Sequence, residues 1–199
     1  MSRIAFDLDD VLGNHTSQFL EFYNATYRKR RKKLALEEVT DYNLATVLKV
    51  SNDEFYGILN RFYASEYFDE IRPENESQET LGKIIELGHE VCVLTSRPSA
   101  LAQKTRAWVR RYFEGVDSKQ VLLSREILPG PESLKGPVCK KRGINVIVDD
   151  SLEQAISCSS ECAVLLFDRP WNHRTSILLP RHVVRVDSWV KIYQEVEKY

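Results

Sequence analysis

Five short apolar runs punctuate the chain, each stopping at a polar or turn residue: "RIAF" before Asp7, "EVCVL" before Thr95, "VLL" before Ser124, "NVIV" before Asp149 and "AVLLF" before Asp168. Unbroken runs of this length predict strands buried on both faces, as in a parallel sheet. Between them the spacing changes to that of helices. Leu81, Ile84, Ile85 and Gly88 share one face, as do Leu101, Thr105, Trp108, Val109 and Tyr112. "GPVCKKRG" predicts a short helix closed by Gly143, and "SLEQAISCSSE" another opened by the cap Ser151. Alternating strands and helices predict an α/β fold with helices on both faces of the sheet. Ligands of such sheets sit beyond the carboxyl ends of the strands.

The alternation breaks between residues 14 and 73. "SQFLEFYNATYRKRRKK", "TDYNLATVL" and "SNDEFYGILNRFYASEYF" are helix-patterned and rich in Tyr and Phe. They predict a helical insertion after the first strand, with residues 1–13 and 74–199 forming the α/β core. Ser51 with Glu54 makes a capping box at the start of its last long helix. Phe19, Phe22, Tyr23 and Tyr27 form an aromatic stripe at helical spacing, which predicts packing rather than a base-stacking surface. An insertion beside the strand ends would lie over a site there and shape what enters.

Length and composition limit what such a fold can be doing. The 199 residues, 43% hydrophobic and 29% charged, suit one globular domain with a small insertion. A formal net charge of -1 removes any global attraction to nucleic acid or to an acidic membrane. The basic run Arg28 to Lys33 invites a nucleic-acid or nuclear-localisation reading, but cations near a helix C-terminus are favourable on their own account. No secretory h-region and no eighteen-residue apolar stretch is present, so a cytoplasmic, membrane-free protein is expected. Cys92, Cys139, Cys158 and Cys162 lack CxxC spacing and read as free thiols. Cys158 and Cys162 could share a helix face and hold a metal, but no histidine is near to complete a zinc set. Neither a P-loop nor a GxGxxG sequence is present.

What remains is acid at the strand ends. Asp7 and Asp9 follow the first run, with Asp10 beside them, and Asp149 and Asp150 close the fourth. Like charges this close repel, and a divalent cation is the simplest way to hold them ionised together. Hard oxygen donors without imidazole or thiolate favour Mg2+ over zinc. Magnesium on carboxylates commonly completes its shell with waters and a phosphate oxygen, which points to phosphoryl chemistry. Asp7, nearest the strand end, is the better candidate to attack phosphorus, and Asp9 to protonate the leaving oxygen and later deprotonate water. Lys135 supplies a cation for a phosphate dianion, and Thr95 with Ser96 and the backbone of "TSRP" supplies neutral donors. Arg97 either reaches a phosphate oxygen or substrate carboxylate, or faces solvent at a helix start.

These residues resemble a known pattern. "DLDDV" resembles the DxDx(T/V) signature of the haloacid dehalogenase (HAD) superfamily. "VCVLTSRP", Lys135 and "VIVDDS" look like its second, third and fourth motifs, in order across the whole chain. Within it the chain is similar to the deoxyribonucleotidase-like group, where "TSRP", "DDS" and a "DRPWN"-like segment, here Asp168 to Asn172, recur. The resemblance implies a Rossmann-like three-layer core with a small helical cap, magnesium dependence and hydrolysis of nucleoside 5'-phosphates. It further implies that Asp7 is nucleophile and metal ligand, and that Asp9 is acid/base with its carbonyl on the metal. Thr95 and Lys135 would bind phosphate, and Asp150, with Asp149 beside it, would complete the metal site. Asp10 departs from the pattern, standing where many relatives have glycine. Another small phosphomonoester, such as a sugar phosphate, and a non-catalytic phosphate-binding module are the alternatives.

Overall fold

The computed structural model describes residues 1–28, 32–128, 134–173 and 177–199. In chain order the elements are β1 (Arg3–Phe6), α1 (His15–Tyr27), α2 (Leu44–Leu48), α3 (Asn52–Tyr63), α4 (Glu66–Asp69) and α5 (Ser77–Glu86). Then come β2 (Glu90–Thr95), α6 (Ala102–Tyr112), β3 (Val121–Leu123), α7 (Ser124–Ile127), α8 (Gly136–Arg142) and β4 (Val146–Asp149). The chain ends with α9 (Leu152–Cys158), β5 (Ala163–Phe167), β6 (Val183–Val186) and α10 (Trp189–Val196).

The strands form one parallel sheet in the order β3-β2-β1-β4-β5-β6. Ala5 in β1 stands opposite both Cys92 of β2 and Ile147 of β4. Successive side chains alternate between two cores. Ile4 and Phe6 pack with Leu81, Ile84, Val109 and Ile192, whereas Ala5 and Ile147 pack with Val138, Cys139, Ala155 and Cys158. Both faces are covered by helices, which is why the strands read as unbroken apolar runs. From β1 the chain winds outward to β2 and β3, then crosses back to β4 on the other side. The carboxyl ends of β1 and β4 therefore flank the point where the winding reverses.

Helices α1 to α4 lie between β1 and α5, and the chain enters and leaves them side by side. Gly13 bridges Pro73, the Asn14 amide donates to the Arg72 carbonyl at 2.9 Å, and the Glu74 amide to the Leu12 carbonyl at 2.8 Å. Phe62 of α3 is fully buried, with ring centroids of Phe19, Phe22 and Phe68 at 5.4, 5.6 and 5.5 Å. The aromatic stripe thus packs among helices. Ser51 Oγ accepts the Glu54 amide at 3.2 Å where α3 starts.

Some sequence expectations change. Strand β6 goes unread because Arg185, half-buried, interrupts its short apolar run. Helix α9 stops at Cys158, so Cys162 lies beyond it and the two do not share a helix face. Cys158 Sγ instead faces Cys139 Sγ at 3.9 Å, and all four cysteines are free. Of the basic run, Arg28 caps α1 and Lys32 pairs with Glu38, while residues 29–31 lie outside the described residues.

Gly136 opens α8 directly after Lys135, and a β-carbon there would stand 2.2 Å from the Ser157 carbonyl of α9. Backbone atoms cannot yield as a flexible side-chain tip can. Gly136→Ala is expected to destabilise the protein by about 1–3 kcal/mol. Chemical denaturation checks this, and an unchanged midpoint would contradict the close approach of α8 to α9.

Candidate active site

The strand ends bring together residues from four distant parts of the sequence. Asp7 follows β1, Asp149 ends β4 with Asp150 next to it, and Lys135 sits at the start of α8. Lys135 is buried, and its Nζ lies 2.8 Å from Asp7 Oδ1 and 2.7 Å from Asp149 Oδ2. The Gln154 side chain accepts the Lys135 amide at 2.8 Å, which ties the start of α8 to α9. Asp7 Oδ1 also accepts the Leu8 amide at 2.7 Å, and Asp149 Oδ1 accepts the Ser151 amide at 2.9 Å. Both oxygens of Asp149 are therefore committed to protein donors. Asp7, Asp149 and Asp150 each offer a carboxylate oxygen within 4.8 Å of the others.

Thr95, at the end of β2, is buried beside them, and its hydroxyl accepts the Arg97 amide at 3.2 Å. Ser96 lies between these two residues and is half-buried. Asp9 does not join the three clustered carboxylates. Arg97 holds it, with Nε 3.1 and 3.0 Å from its two oxygens and Nη2 2.5 Å from Oδ1. Arg97 is buried, so the solvent-facing alternative from the sequence does not hold.

Two roles were not legible in advance. The Trp171 indole donates to Asp150 Oδ2 at 2.7 Å, and the Asn172 side chain donates to the Asp150 carbonyl at 2.9 Å. The loop after β5 thereby orients an acid after β4. The "DRPWN"-like segment, noted in the sequence as part of the resemblance, was the signal for this, without a role attached. Asp10 adopts φ +59°, a left-handed conformation that Asp tolerates better than most residues, and accepts the Thr16 amide at 2.8 Å and hydroxyl at 2.6 Å. Its carboxylate thus satisfies the open amino end of α1, where Asn14 makes no side-chain cap. The departure from glycine has a structural use.

Burial dominates the electrostatics. It pushes the Asp7 carboxyl up to about 7, with Lys135 opposing and Asp149 and Asp9 adding to the rise. Burial, then the Asp149, Asp10 and Asp7 charges, raise Asp150 well above the carboxylate range. Burial works against the Lys135 charge, but Asp149 and Asp7 more than offset it and hold its pKa above the usual lysine value. For Asp9 burial raises the pKa, and Arg97 overcomes it and leaves the carboxyl below its ordinary value. Ionised, Asp7, Asp149 and Asp150 carry three negative charges against the one positive charge of Lys135, and the remainder matches a divalent cation. All the donors are hard oxygens, so the residues fit a hard metal ion.

Comparison with known proteins agrees with this arrangement. The family model described as 5' nucleotidase, deoxy (pyrimidine), cytosolic type C protein (NT5C) matches residues 1–198. The chain is 22% identical over 198 residues to "Putative nucleotidase YqfW" of Bacillus subtilis (strain 168), covering 98% of this chain and 93% of that protein. A HAD family hydrolase from Deinococcus radiodurans R1, solved with bound phosphate and sodium, has the same fold. Its TM-score is 0.69 at 15% identity, over 100% of this chain and 96% of that one. A HAD hydrolase, family IA, variant 3, from Entamoeba histolytica HM-1:IMSS gives a TM-score of 0.65 at 13% identity, over 100% of both chains.

The raised carboxyls set the sign of the stability response to pH. A group raised from 3.8 to about 7, as Asp7 is, stabilises the folded state fully below the unfolded value, and that contribution is lost as pH climbs through about 7. Asp150 shifts the same way, while the lowered Asp9 acts at more acidic pH. Without a cation, the melting temperature is expected to fall from pH 5 to pH 8. A divalent cation, which needs ionised carboxylates, is expected to raise it more at pH 8 than at pH 5. Thermal melts with and without MgCl2 at both pH values measure this, and equal shifts would contradict it.

Proposed function

The chain belongs to the 5' nucleotidase, deoxy (pyrimidine), cytosolic type C family of HAD hydrolases, and from that premise we propose that it is a Mg2+-dependent hydrolase of nucleoside 5'-monophosphates acting through an aspartyl phosphate. A phosphatase of this family takes a small phosphate ester. The observation that carries the finer reading is Asp7, set at the end of the central strand, paired with Lys135 at 2.8 Å and clustered with Asp149 and Asp150.

In this reading an Asp7 oxygen attacks phosphorus as the bond to the leaving oxygen breaks, and Asp9, whose carboxyl the negative charge of the incoming phosphate raises against the hold of Arg97, takes up a proton and gives it to that oxygen. Water then attacks the aspartyl phosphate, Asp9 takes up the water proton, and inorganic phosphate leaves. Lys135 balances charge on Asp7 and on the phosphate, while Thr95, Ser96 and neighbouring amides donate to the phosphate oxygens. Asp7 and Asp150 would hold the cation, since Asp149 spends both oxygens on Lys135 and Ser151. Bound there, the cation would neutralise the repulsion between an anionic nucleophile and an anionic substrate. The solved Deinococcus relative holds phosphate and sodium, in keeping with one fold accommodating both an anion and a cation.

Residues 14–73 serve in this reading as a cap over the strand ends. The 3-10 turn Leu36–Glu38 lies against the turn Pro170–Asn172, whose Trp171 contacts Asp150. Two tyrosines of this segment lie within electrostatic reach of the site acids. Tyr42 is half exposed, but desolvation of its hydroxyl and then the Asp150, Asp7 and Asp149 charges raise its pKa well above the tyrosine range. Burial and then the Asp9 charge raise Tyr63.

The test is phosphate release from ribo- and deoxyribonucleoside 5'-monophosphates alongside sugar phosphates, with Mg2+ or EDTA. Nucleotides are expected to turn over, EDTA to stop the reaction, and Asp7→Asn to reduce it to background while the protein still folds. Turnover confined to sugar phosphates would replace the substrate assignment, and an active Asp7→Asn protein would end the mechanism.

A further inference from the structure

Arg97 is paired with a carboxylate of the protein itself, that of Asp9. Its side chain is 3% exposed against 26% for Asp9, so within the pair it is the fixed member. Three elements hold it. Its amide bonds to Thr95 at the end of β2, its Nη1 lies 3.5 Å from Thr105 Oγ1 on α6, and the Phe68 ring of α4 covers the guanidinium 4.8 Å from the ring centroid. Asp69, next to Phe68, pairs with Lys104 of α6 at 2.7 Å. Asp9 stands on the loop after β1 and depends on Arg97 for its direction.

A planar guanidinium that meets both oxygens of a carboxylate fixes its plane as well as its position, which a lysine ammonium does not. The short contact falls on Asp9 Oδ1, while Oδ2 receives only Nε at 3.0 Å. Oδ2 therefore keeps the greater capacity for a proton. Proton transfer to a leaving oxygen demands such fixed geometry, because a displacement of about 1 Å can cost about 10²-fold in rate.

We infer that Arg97 is a positioning residue that aims Asp9 at the leaving-group oxygen, with the Phe68 ring tying that aim to the helices between β1 and α5. The inference rests on the acid–base role proposed for Asp9.

The experiment follows leaving-group release in a single turnover, because water attack on the aspartyl phosphate calls on Asp9 with either ester, and compares a nucleoside 5'-monophosphate, whose alkoxide needs a proton on departure, with p-nitrophenyl phosphate, whose leaving group does not. Asp9→Asn serves as the reference and is expected to slow the nucleotide by about 10²-fold or more, and the aryl ester far less. Arg97→Met is expected to show the same split in that single-turnover rate with little change in KM. Arg97→Lys, which keeps the charge without the fork, recovers only part of the loss. Phe68→Leu keeps an apolar side chain against Phe62 but takes away the ring over the guanidinium, and gives a smaller split of the same sign. It decides the matter if Arg97→Met does not fold. A rise in KM for both esters with kcat intact would make Arg97 a substrate-binding residue, and equal loss on both esters would make it structural. Either result overturns the inference. If Asp9→Asn itself shows no split, the acid–base reading fails instead, so the two failures are distinguishable.

Discussion

The interaction on which the rest depends is the Lys135 ammonium held between the carboxylates of Asp7 and Asp149. Three charged groups are out of water there, and such a cluster is tolerated only when every partner is in place. Removing one member of a buried pair commonly costs about 3–5 kcal/mol, because it leaves an unpaired charge behind. The contact constrains the fold in turn. Asp7 and Asp149 can meet one ammonium only if β1 and β4 are neighbours, and Lys135 can reach both only if α8 starts at the strand ends. The Gln154 contact and the close approach of Gly136 to Ser157 hold α8 there against α9.

Around this centre each acid has its own partner. Asp150 is oriented by the Trp171 indole, Asp9 by Arg97, and Asp10 is spent on the amino end of α1. Arg169 closes the arrangement, donating to the Asp10 carbonyl at 2.9 Å and pairing with Glu74, where the chain returns from the inserted helices. Five acids close in space would repel without such distribution. Separate partners let them differ: Asp7 and Asp150 are raised, while Asp9 is lowered.

The sequence revealed what is local. Strands covered on both faces are apolar between their ends, so β1, β2, β4 and β5 stood out, whereas β6, interrupted by Arg185, did not. The acids, Thr95 and Lys135 were visible because they sit immediately beyond those strands or next to a capped helix. Their partners were not. Arg97 and Asp9 are 88 residues apart in sequence, and Trp171 and Asp150 are 21 apart, so no spacing rule pairs them. Asp10 looked like surplus charge because its use depends on a left-handed turn that folds it back onto Thr16.

The same separation explains why the site is assembled from strand ends and loops rather than from one helix or hairpin. The nucleophile proposed above has to be rigid, and Asp7 inherits rigidity from the central strand, which is paired on both sides. The group proposed to serve the leaving oxygen has to face a substrate, and Asp9, two residues further on, has left the sheet and is partly exposed. The charge left over from Asp7, Asp149 and Asp150 after Lys135 matches a divalent cation. A buried excess of negative charge destabilises the folded protein unless a cation offsets it, so stability and function make the same demand of the site.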